Sequence, residues 1–299
     1  MVRPVAFGFN IETSLDNAFQ NDSYEKEESI QKKALLEFDT MVSLLRENGI
    51  KVLVVEDTLE PKTPDSIFPN NWFSTHSDGR MAIYPLKAES RRAERRPEIF
   101  EYLIESGFSV KHIEDFSDAE TEGKFLESTG SLILDRENEL CYVSVSERSN
   151  PELVVEFCEV FGYQPIFFQS IINGTVAYHT NISMCIASEY ALVALDSFSR
   201  EDEKSKTKNA LIRAGKEVIE LSENQVLNFA GNGLEVQDEK GESYFVLSKR
   251  AYDSLAKTQI DTIKKYAKVI TPVLTTIENI GGGSARCMMA EIFLPYRRK

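Results

Sequence analysis

Helix-like and strand-like patterns of apolar residues alternate along this chain. Apolar side chains that recur every three or four residues predict a first helix from 25 to about 48, and Gly49 is typical of its end. A strand-like run follows at 51–56. Similar units recur further along, with helices predicted at about 90–106, 151–161, 204–214 and 253–267 and strands at 108–113, 165–168, 216–220 and 268–274. The repetition predicts a single domain, 1–299, built of about five similar α/β units.

Further strand-like runs lie between these units and at the two ends of the chain. Two pairs with short polar connections are typical of hairpins: 131–134 with 140–145, and 182–187 with 191–196. Residues 1–10 predict a short strand that enters a polar turn, 10–17, and we expect this turn to line a pocket. The apolar run 288–294 is strand-like. The predicted fold class is therefore α/β, with strands of both directions.

The composition excludes several classes of protein. A chain of 299 residues, 42% hydrophobic and 27% charged, is typical of a soluble globular protein with a full core. The formal net charge of −14 argues against nucleic-acid binding, which requires a concentrated basic patch. No apolar run reaches the length of a membrane span, and the N-terminus lacks a signal-peptide pattern. We expect a cytoplasmic protein without nucleic-acid or membrane partners, and the sequence leaves open whether it forms a homo-oligomer.

One of the four cysteines differs from the others in its setting. The absence of a CxxC pair suits a reducing compartment and argues against a structural zinc site. Cys141, Cys158 and Cys185 lie in apolar patterns, and we expect them in the core. Cys287 instead follows a glycine-rich segment, 281–283, which permits positive φ and a close approach of the backbone to a ligand. Because a lone cysteine is commonly a small buried side chain, other groups decide whether it is reactive.

Three polar segments supply those groups. His179 lies between two apolar strand-like runs, unlike the other two histidines, although a paired core histidine has the same setting. Glu127 follows two apolar residues and precedes a strand, where a helix cap is the alternative. Asn70 and Asn71 stand beside the only tryptophan and suit either ligand recognition or an Asx turn. A thiol, an imidazole and a carboxylate are the components of a nucleophile with its acid/base and orienting group.

The order of these segments resembles the guanidine-modifying superfamily of arginine deiminases, dimethylarginine dimethylaminohydrolases and amidinotransferases. The resemblance implies a five-bladed α/β propeller (pentein) with pseudo-fivefold symmetry, a central site for a small amino-acid substrate, and no metal or organic cofactor. It implies that Cys287 attacks the central carbon of the substrate head group and that His179 is the general acid/base. Glu127 is similar to the carboxylate that holds the head-group nitrogens and orients the histidine.

The resemblance also implies how the amino-acid end of the substrate is held. Arg148 and Arg91 resemble arginines that pair with a substrate α-carboxylate, a role that suits the guanidinium fork. Asp65 is similar to the residue that receives the α-amino group.

Two positions depart from the family pattern. Asn71 stands where dimethylarginine hydrolases have an aspartate, and Asn181 stands where deiminases have the aspartate of a His-x-Asp motif. Loss of two carboxylates weakens a closed site for a cation. An amide donates to a carbonyl oxygen as well as accepting from N–H, which suits a neutral ureido group. Together with its similarity to the citrulline-hydrolase branch, this favours hydrolysis of L-citrulline to L-ornithine, carbon dioxide and ammonia.

Three other functions stay open at this point. An arginine deiminase or dimethylarginine dimethylaminohydrolase would hold its cation with Glu127 alone. A catalytically silent amino-acid-binding protein would keep the pocket without the chemistry. Amidino transfer would need an acceptor amine as second substrate.

Overall fold

The structure is a computed structural model that describes residues 1–297. Its helices are α1 (Glu27–Glu47), α2 (Glu89–Arg92), α3 (Pro97–Glu105), α4 (Ser128–Ser131), α5 (Pro151–Phe161), α6 (Glu201–Arg213), α7 (Glu223–Leu227), α8 (Lys249–Ser254) and α9 (Lys257–Tyr266). Within this range, none of them is long and apolar enough to span a lipid bilayer. Residues 298–299 of the predicted domain lie outside the described range.

The strands form short sheets. They are β1 (Val2–Arg3), β2 (Val55–Glu56), β3 (Phe73–Thr75), β4 (Arg80–Ile83), β5 (His112–Asp115), β6 (Ile133–Asp135), β7 (Leu140–Ser144), β8 (Gln164–Phe168), β9 (Ile171–Ile172), β10 (Thr175–Val176), β11 (Met184–Ile186), β12 (Tyr190–Val193), β13 (Glu217–Glu220), β14 (Leu234–Gln237), β15 (Ser243–Val246) and β16 (Lys268–Ile270).

Four of the sheets are three-stranded and share one topology: β3-β4-β5, β6-β7-β8, β11-β12-β13 and β14-β15-β16. In each, an antiparallel hairpin is extended by a parallel third strand that follows a helix. A smaller parallel pair, β1 with β2, flanks α1, and β9 with β10 forms a separate hairpin. The α/β class, with strands of both directions and two of its hairpins as expected, is therefore confirmed.

Short turns precede the first strands of these sheets and pack against one another. A 3-10 helix, Pro69–Asn71, leads into β3, α4 leads into β6, and a second 3-10 helix, Thr180–Ile182, leads into β11. The Thr129 hydroxyl of α4 donates to the Asn70 carbonyl of the first 3-10 helix at 3.1 Å. The Thr180 hydroxyl of the second 3-10 helix donates to the Ser131 carbonyl of α4 at 2.6 Å. The fold thereby brings the three polar segments, far apart in sequence, to one place.

The turn that carries Cys287 is held by the apolar core around α1. Phe38, Met41 and Leu45 of α1 belong to the same apolar cluster as Cys287 and Met288. All of these side chains are buried. Since protein cores pack tightly, this cluster fixes the turn that carries the candidate nucleophile.

The other cysteines are core residues. Cys141, Cys158 and Cys185 are buried among apolar side chains, as predicted.

Two predicted helices are each divided in the structure. The helix predicted at 90–106 is α2 followed by α3, because Pro97 disfavours helical geometry at Arg96, which is extended. The helix predicted at 253–267 is α8 followed by α9. Leu255 and Ala256 are extended, and the Gln259 side chain accepts from the Ala256 N–H at 2.8 Å, which begins α9.

The strand predicted at 288–294 is absent from the described chain, and other predicted strands are shorter or shifted. The backbone turns through bonds from Cys287 N to Ser284 O and from Met289 N to Arg286 O. Thr75 then pairs with this segment through its side chain, donating to Glu291 O at 2.9 Å. The strands predicted at 51–56 and 268–274 are shortened to β2 and β16, and the strand predicted at 108–113 is shifted to β5.

His76 is a buried histidine whose surroundings favour the neutral ring. It stacks on Phe161 with ring centroids 3.9 Å apart, and Ser74 Oγ lies 3.0 Å from its Nε2. Burial, with Arg136 nearby, lowers its pKa to about 3. An unfolded chain protonates histidine near pH 6.5, so the folded state binds fewer protons as the pH falls from there towards 3. Stability is therefore lost over that window.

Replacing His76 with glutamine is expected to reduce the fall in Tm between about pH 7 and pH 4.5, because His76 costs about 3 kcal/mol at the lower pH. Circular dichroism melts at both pH values measure the difference. His112→Gln, which changes an exposed ring, is the matched control and should keep the wild-type fall. An unchanged fall in His76→Gln would contradict the assignment.

Candidate active site

Cys287 lies at the end of the glycine-rich turn, with its sulfur among amides. Asn181 Nδ2 lies 3.4 Å from Cys287 Sγ and Asn232 Nδ2 lies 3.3 Å from it. The turn needs its glycines: Gly282 has φ of 64°, and a Cβ on Gly283 would lie 2.8 Å from the Phe68 ring. Cys287 itself is 5% exposed. The glycine segment therefore packs closely against neighbouring side chains, and its expected approach to a ligand stays a prediction.

His179 and Glu127 form a buried pair. His179 Nε2 lies 2.7 Å from Glu127 Oε2, and the Lys87 backbone N–H donates to Glu127 Oε1 at 3.1 Å. Burial raises the pKa of Glu127, but Arg148 and the His179 bond outweigh it and hold that pKa well below the ordinary value. Burial lowers the pKa of His179 despite the Glu127 bond. The imidazole is thus neutral at pH 7 and donates through Nε2, which leaves Nδ1 as its base.

Asn71 is held by Arg91, whose partners are inside the protein. Arg91 donates to both carboxylate oxygens of Glu94 at 2.9 Å and to Asn71 Oδ1 at 2.8 Å. Because a guanidinium only donates, Asn71 Oδ1 must face Arg91. Asn71 Nδ2 is buried without a partner among the described residues. Because Glu94 and Asn71 already occupy this fork, the pairing of Arg91 with a substrate carboxylate, which stays a prediction, would require these bonds to break.

The second arginine expected at the substrate carboxylate, Arg148, pairs with the loop that precedes α1. Its Nε donates to Asp16 Oδ2 at 3.1 Å, and its Nη2 donates to Asp16 Oδ1. Nη1 lies 3.3 Å from Glu127 Oε2, and the Tyr178 ring lies 4.8 Å from the guanidinium carbon. Arg148 thus connects the His179–Glu127 pair with residues 10–17.

Asp65 is buried with one oxygen satisfied. Its Oδ2 accepts from Asn10 Nδ2 at 2.8 Å and from Thr13 Oγ1 at 3.1 Å, while Oδ1 has no partner within residues 1–297. Burial raises its pKa. A free carboxylate oxygen in such a place suits a bound ammonium group.

Several of these groups surround a small cavity of about 20 Å³, whereas Glu127, Asn181 and Asn232 lie outside its lining. Its lining includes Asp65, Asn71, Arg91, Arg148, His179 and Cys287, together with Thr13 and Asn17 of the polar turn. The prediction that residues 10–17 line a pocket is thus confirmed. No group of three or more His, Cys, Asp or Glu side chains in residues 1–297 is placed to hold a metal ion.

A larger cavity of about 610 Å³ is lined by β6, β11 and β14. Cys287, His179 and Glu127 do not line it. Its size therefore does not mark the reactive site.

The structure adds contacts that the sequence did not reveal. Asn232 touches Cys287, Asp16 pairs with Arg148, and Glu94 holds Arg91. Asn232 had a visible signal, since it stands between two glycines just before a strand. Glu94 follows Arg91 by three residues, a spacing that lets helical side chains meet. Asp16 had no such signal.

Comparison with known proteins identifies the family. The model described as N,N dimethylarginine dimethylhydrolase, eukaryotic, matches residues 3–294. No curated protein sequence matches the chain significantly.

Solved structures share the fold. ArgZ without ligand, an arginine dihydrolase from the ornithine-ammonia cycle in cyanobacteria, has a TM-score of 0.73 at 17% identity, covering 96% of this chain and 39% of that one. This chain therefore spans about two fifths of that relative. The N-terminal domain of ArgZ bound to substrate gives 0.73 at 18% identity, covering 98% of each chain. A dimethylarginine dimethylaminohydrolase adduct with 4-chloro-2-hydroxymethylpyridine has a TM-score of 0.60 at 15% identity. The match covers 86% of this chain and 90% of that one.

The family match takes in the three turns that lie together here and the glycine-rich segment with Cys287. The resemblance to the guanidine-modifying superfamily is confirmed by this match and by the shared fold. The chain belongs to the N,N dimethylarginine dimethylhydrolase family, a family of enzymes that hydrolyse carbon–nitrogen bonds.

Proposed function

We propose that this protein hydrolyses the ureido group of L-citrulline to give L-ornithine, carbon dioxide and ammonia. The observation that carries the proposal is the orientation of Asn71. Arg91 fixes its Oδ1, so its unpartnered Nδ2 offers a hydrogen-bond donor at the cavity. A ureido group has a carbonyl oxygen to accept that bond, whereas a guanidinium group has only N–H donors.

Asn181 supports the same substrate class. Its Nδ2 donates to Cys287 Sγ, and its Oδ1 is buried without a partner in the described chain. Asn181 does not line the small cavity in this structure, so an N–H of the ureido group would satisfy that oxygen only in a wider site. The two asparagines supply one donor and one acceptor without adding the negative charge that a buried cation requires.

The reaction would begin at the cysteine. The Cys287 thiol gives its proton to His179 Nδ1, and the thiolate adds to the ureido carbon. The carbonyl oxygen then carries negative charge, and Asn71 Nδ2 is a donor for it. His179 passes the proton to the ornithine nitrogen as the carbon–nitrogen bond breaks, leaving a carbamoyl group on the sulfur.

Water completes the cycle. His179 removes a proton from a water molecule that attacks the carbamoyl carbon, the sulfur leaves as thiolate, and carbamic acid decomposes to carbon dioxide and ammonia. The ionised Glu127 holds His179 by its Nε2–H and stabilises the imidazolium that forms in each half of the cycle.

The amino-acid end of the substrate would meet Arg148 and Asp65. Arg148 can pair with the α-carboxylate once Asp16 is displaced, and Asp65 Oδ1 can accept from the α-amino group. Arg91 is a positioning residue for Asn71 in this proposal, not a substrate ligand.

The architecture is part of the same proposal. The four similar sheets and the smaller β1–β2 pair with α1 would be five blades around the site, as in a pentein with pseudo-fivefold symmetry. A cytoplasmic location and assembly into a homo-oligomer stay predictions.

A guanidino substrate is the second candidate. The family name and the likeness to ArgZ favour arginine or a methylated arginine, and the buried carboxylates of Glu127 and Asp65 offer negative charge. Purified protein supplied separately with citrulline, arginine and methylated arginines distinguishes the candidates by chromatography of the amino-acid products. We expect ornithine from citrulline. Turnover of arginine without turnover of citrulline would overturn the ureido argument.

Replacing Asn71 with aspartate is expected to lower kcat/KM for citrulline about 100-fold, because the donor to the developing oxyanion is lost. The same change should let arginine bind, since a carboxylate then faces the head group. Steady-state kinetics with both substrates measure this. The control Asn224→Asp, which changes an exposed asparagine, should leave the kinetics with citrulline and with arginine unchanged. Undiminished citrulline turnover in Asn71→Asp would exclude Asn71 as the oxygen donor.

A further inference from the structure

Asn232 reaches the site from a turn that requires glycine on both sides. A Cβ on Gly231 would lie 2.2 Å from the Ile182 carbonyl oxygen, and one on Gly233 would lie 2.3 Å from the Phe245 ring. Both distances are too short for any other residue. Gly231 therefore lets the turn before β14 pack against the turn that carries Asn181, and Gly233 lets it pack against β15.

The orientation of the Asn232 amide is fixed by two backbone groups. Its Oδ1 accepts from the Arg286 N–H at 3.1 Å, and its Nδ2 donates to the Asn181 carbonyl at 3.1 Å. An N–H only donates and a carbonyl only accepts, so the reversed amide would break both bonds. Asn232 is 2% exposed, and water cannot replace them.

This fixed amide directs its second N–H at the nucleophile. Nδ2 lies 3.3 Å from Cys287 Sγ, whereas Oδ1 lies farther away, at 3.6 Å. A thiol would donate to Oδ1, but a thiolate only accepts and pairs with Nδ2. Because hydrogen bonds to a charged partner are the stronger ones, the contact favours the thiolate.

We infer that Asn232 is a further catalytic residue, which holds the Cys287 turn and stabilises the Cys287 thiolate through its Nδ2–H. This inference rests on the proposed role of Cys287 as nucleophile, but not on citrulline as the substrate. The proton of the thiol still passes to His179, and Asn232 gains and loses none. When the sulfur bonds to carbon its negative charge disappears, and the Nδ2 contact weakens.

Asn232 does not line the substrate cavity, so its replacement should change the reactivity of Cys287 and not the binding of substrate. Replacing it with aspartate keeps the acceptor for the Arg286 N–H but sets a negative charge against the sulfur. We expect kcat to fall about 100-fold while KM stays within about threefold.

The decisive measurement is the pH dependence of Cys287 alkylation by iodoacetamide, followed by peptide mass spectrometry and made without substrate. Only the thiolate reacts, so the pH of half-maximal rate reports its formation. In Asn232→Asp that pH should rise by about one to two units relative to wild type. Asn232→Ala, which adds no charge, should raise it less. It is the variant that decides, because the aspartate charge raises the midpoint by itself.

A purely structural role predicts another result. In Asn232→Ala, which adds no charge, it would change the alkylation rate by one factor at every pH and leave the midpoint where it is in the wild type, which would overturn the inference. Asn224→Asp is again the exposed control. Turnover of arginine instead of citrulline by the wild type would contradict citrulline as the substrate. The alkylation midpoints of the Asn232 variants would still test the role of Asn232, because they are measured without substrate.

Discussion

Replacing Cys287 with alanine is expected to reduce product release at least about 10⁴-fold, the largest loss of any single substitution in this chain. The reason is that Cys287 is the one thiol among the described residues that line this cavity, so the covalent route through sulfur is lost as a whole. The measurement is release of ornithine from citrulline, with arginine and methylated arginines tested beside it. Rapid acid quench of the wild type during turnover should also trap a carbamoyl group on the peptide that contains Cys287.

The matched control is Cys185→Ala. Cys185 is also buried, but it lies in β11 and lines the other cavity. Its alanine variant should keep turnover near the wild-type rate. Residual turnover above about 1% in Cys287→Ala would contradict the thiol mechanism, because loss of a covalent nucleophile leaves far less.

The second large effect is expected at Gly130, which makes no chemical contribution of its own. A Cβ there would lie 2.6 Å from Asn71 Nδ2 and 2.8 Å from His179 Cε1. Neither side chain can move away freely, because Arg91 holds Asn71 and Glu127 holds His179. Gly130→Ala should therefore lower kcat/KM about 100-fold or more, since small displacements of reacting groups are costly.

Steady-state kinetics and thermal melts of Gly130→Ala distinguish displacement of the site from unfolding. Tm should fall by only a few degrees, about what 1 kcal/mol produces in a chain of this size. Gly8→Ala is the control, because a Cβ at that buried position meets nothing within 4 Å. Full activity in Gly130→Ala would show that Asn71 and His179 need not occupy their present positions.

The sequence revealed the components of this site better than their connections. The Cys287, His179 and Glu127 segments stood out because each combines a reactive group with an unusual setting, a glycine run or an apolar strand-like flank. The partners of Arg91 could not be assigned in the same way. A guanidinium binds a substrate carboxylate or a neighbouring glutamate equally well, and only the buried position of Glu94 decides between them.

Secondary structure was predicted where local patterns govern it. The first helix and the hairpins follow from spacing alone, and Pro97 was a visible reason for the helix break. The segment after Cys287 is apolar enough for a strand, but its backbone bonds with the Thr75 side chain and with its own turn. Long-range contacts of this kind leave no periodic trace in a sequence.

The pairing of Asp16 with Arg148 has a thermodynamic consequence. A substrate carboxylate that pairs with Arg148 must displace Asp16, which already holds that guanidinium. At Arg148 one carboxylate is then exchanged for another, and much of the ion-pair energy cancels from the net affinity. The substrate's carboxylate thus compensates for the lost Asp16–Arg148 pair, while discrimination between substrates rests on the head group.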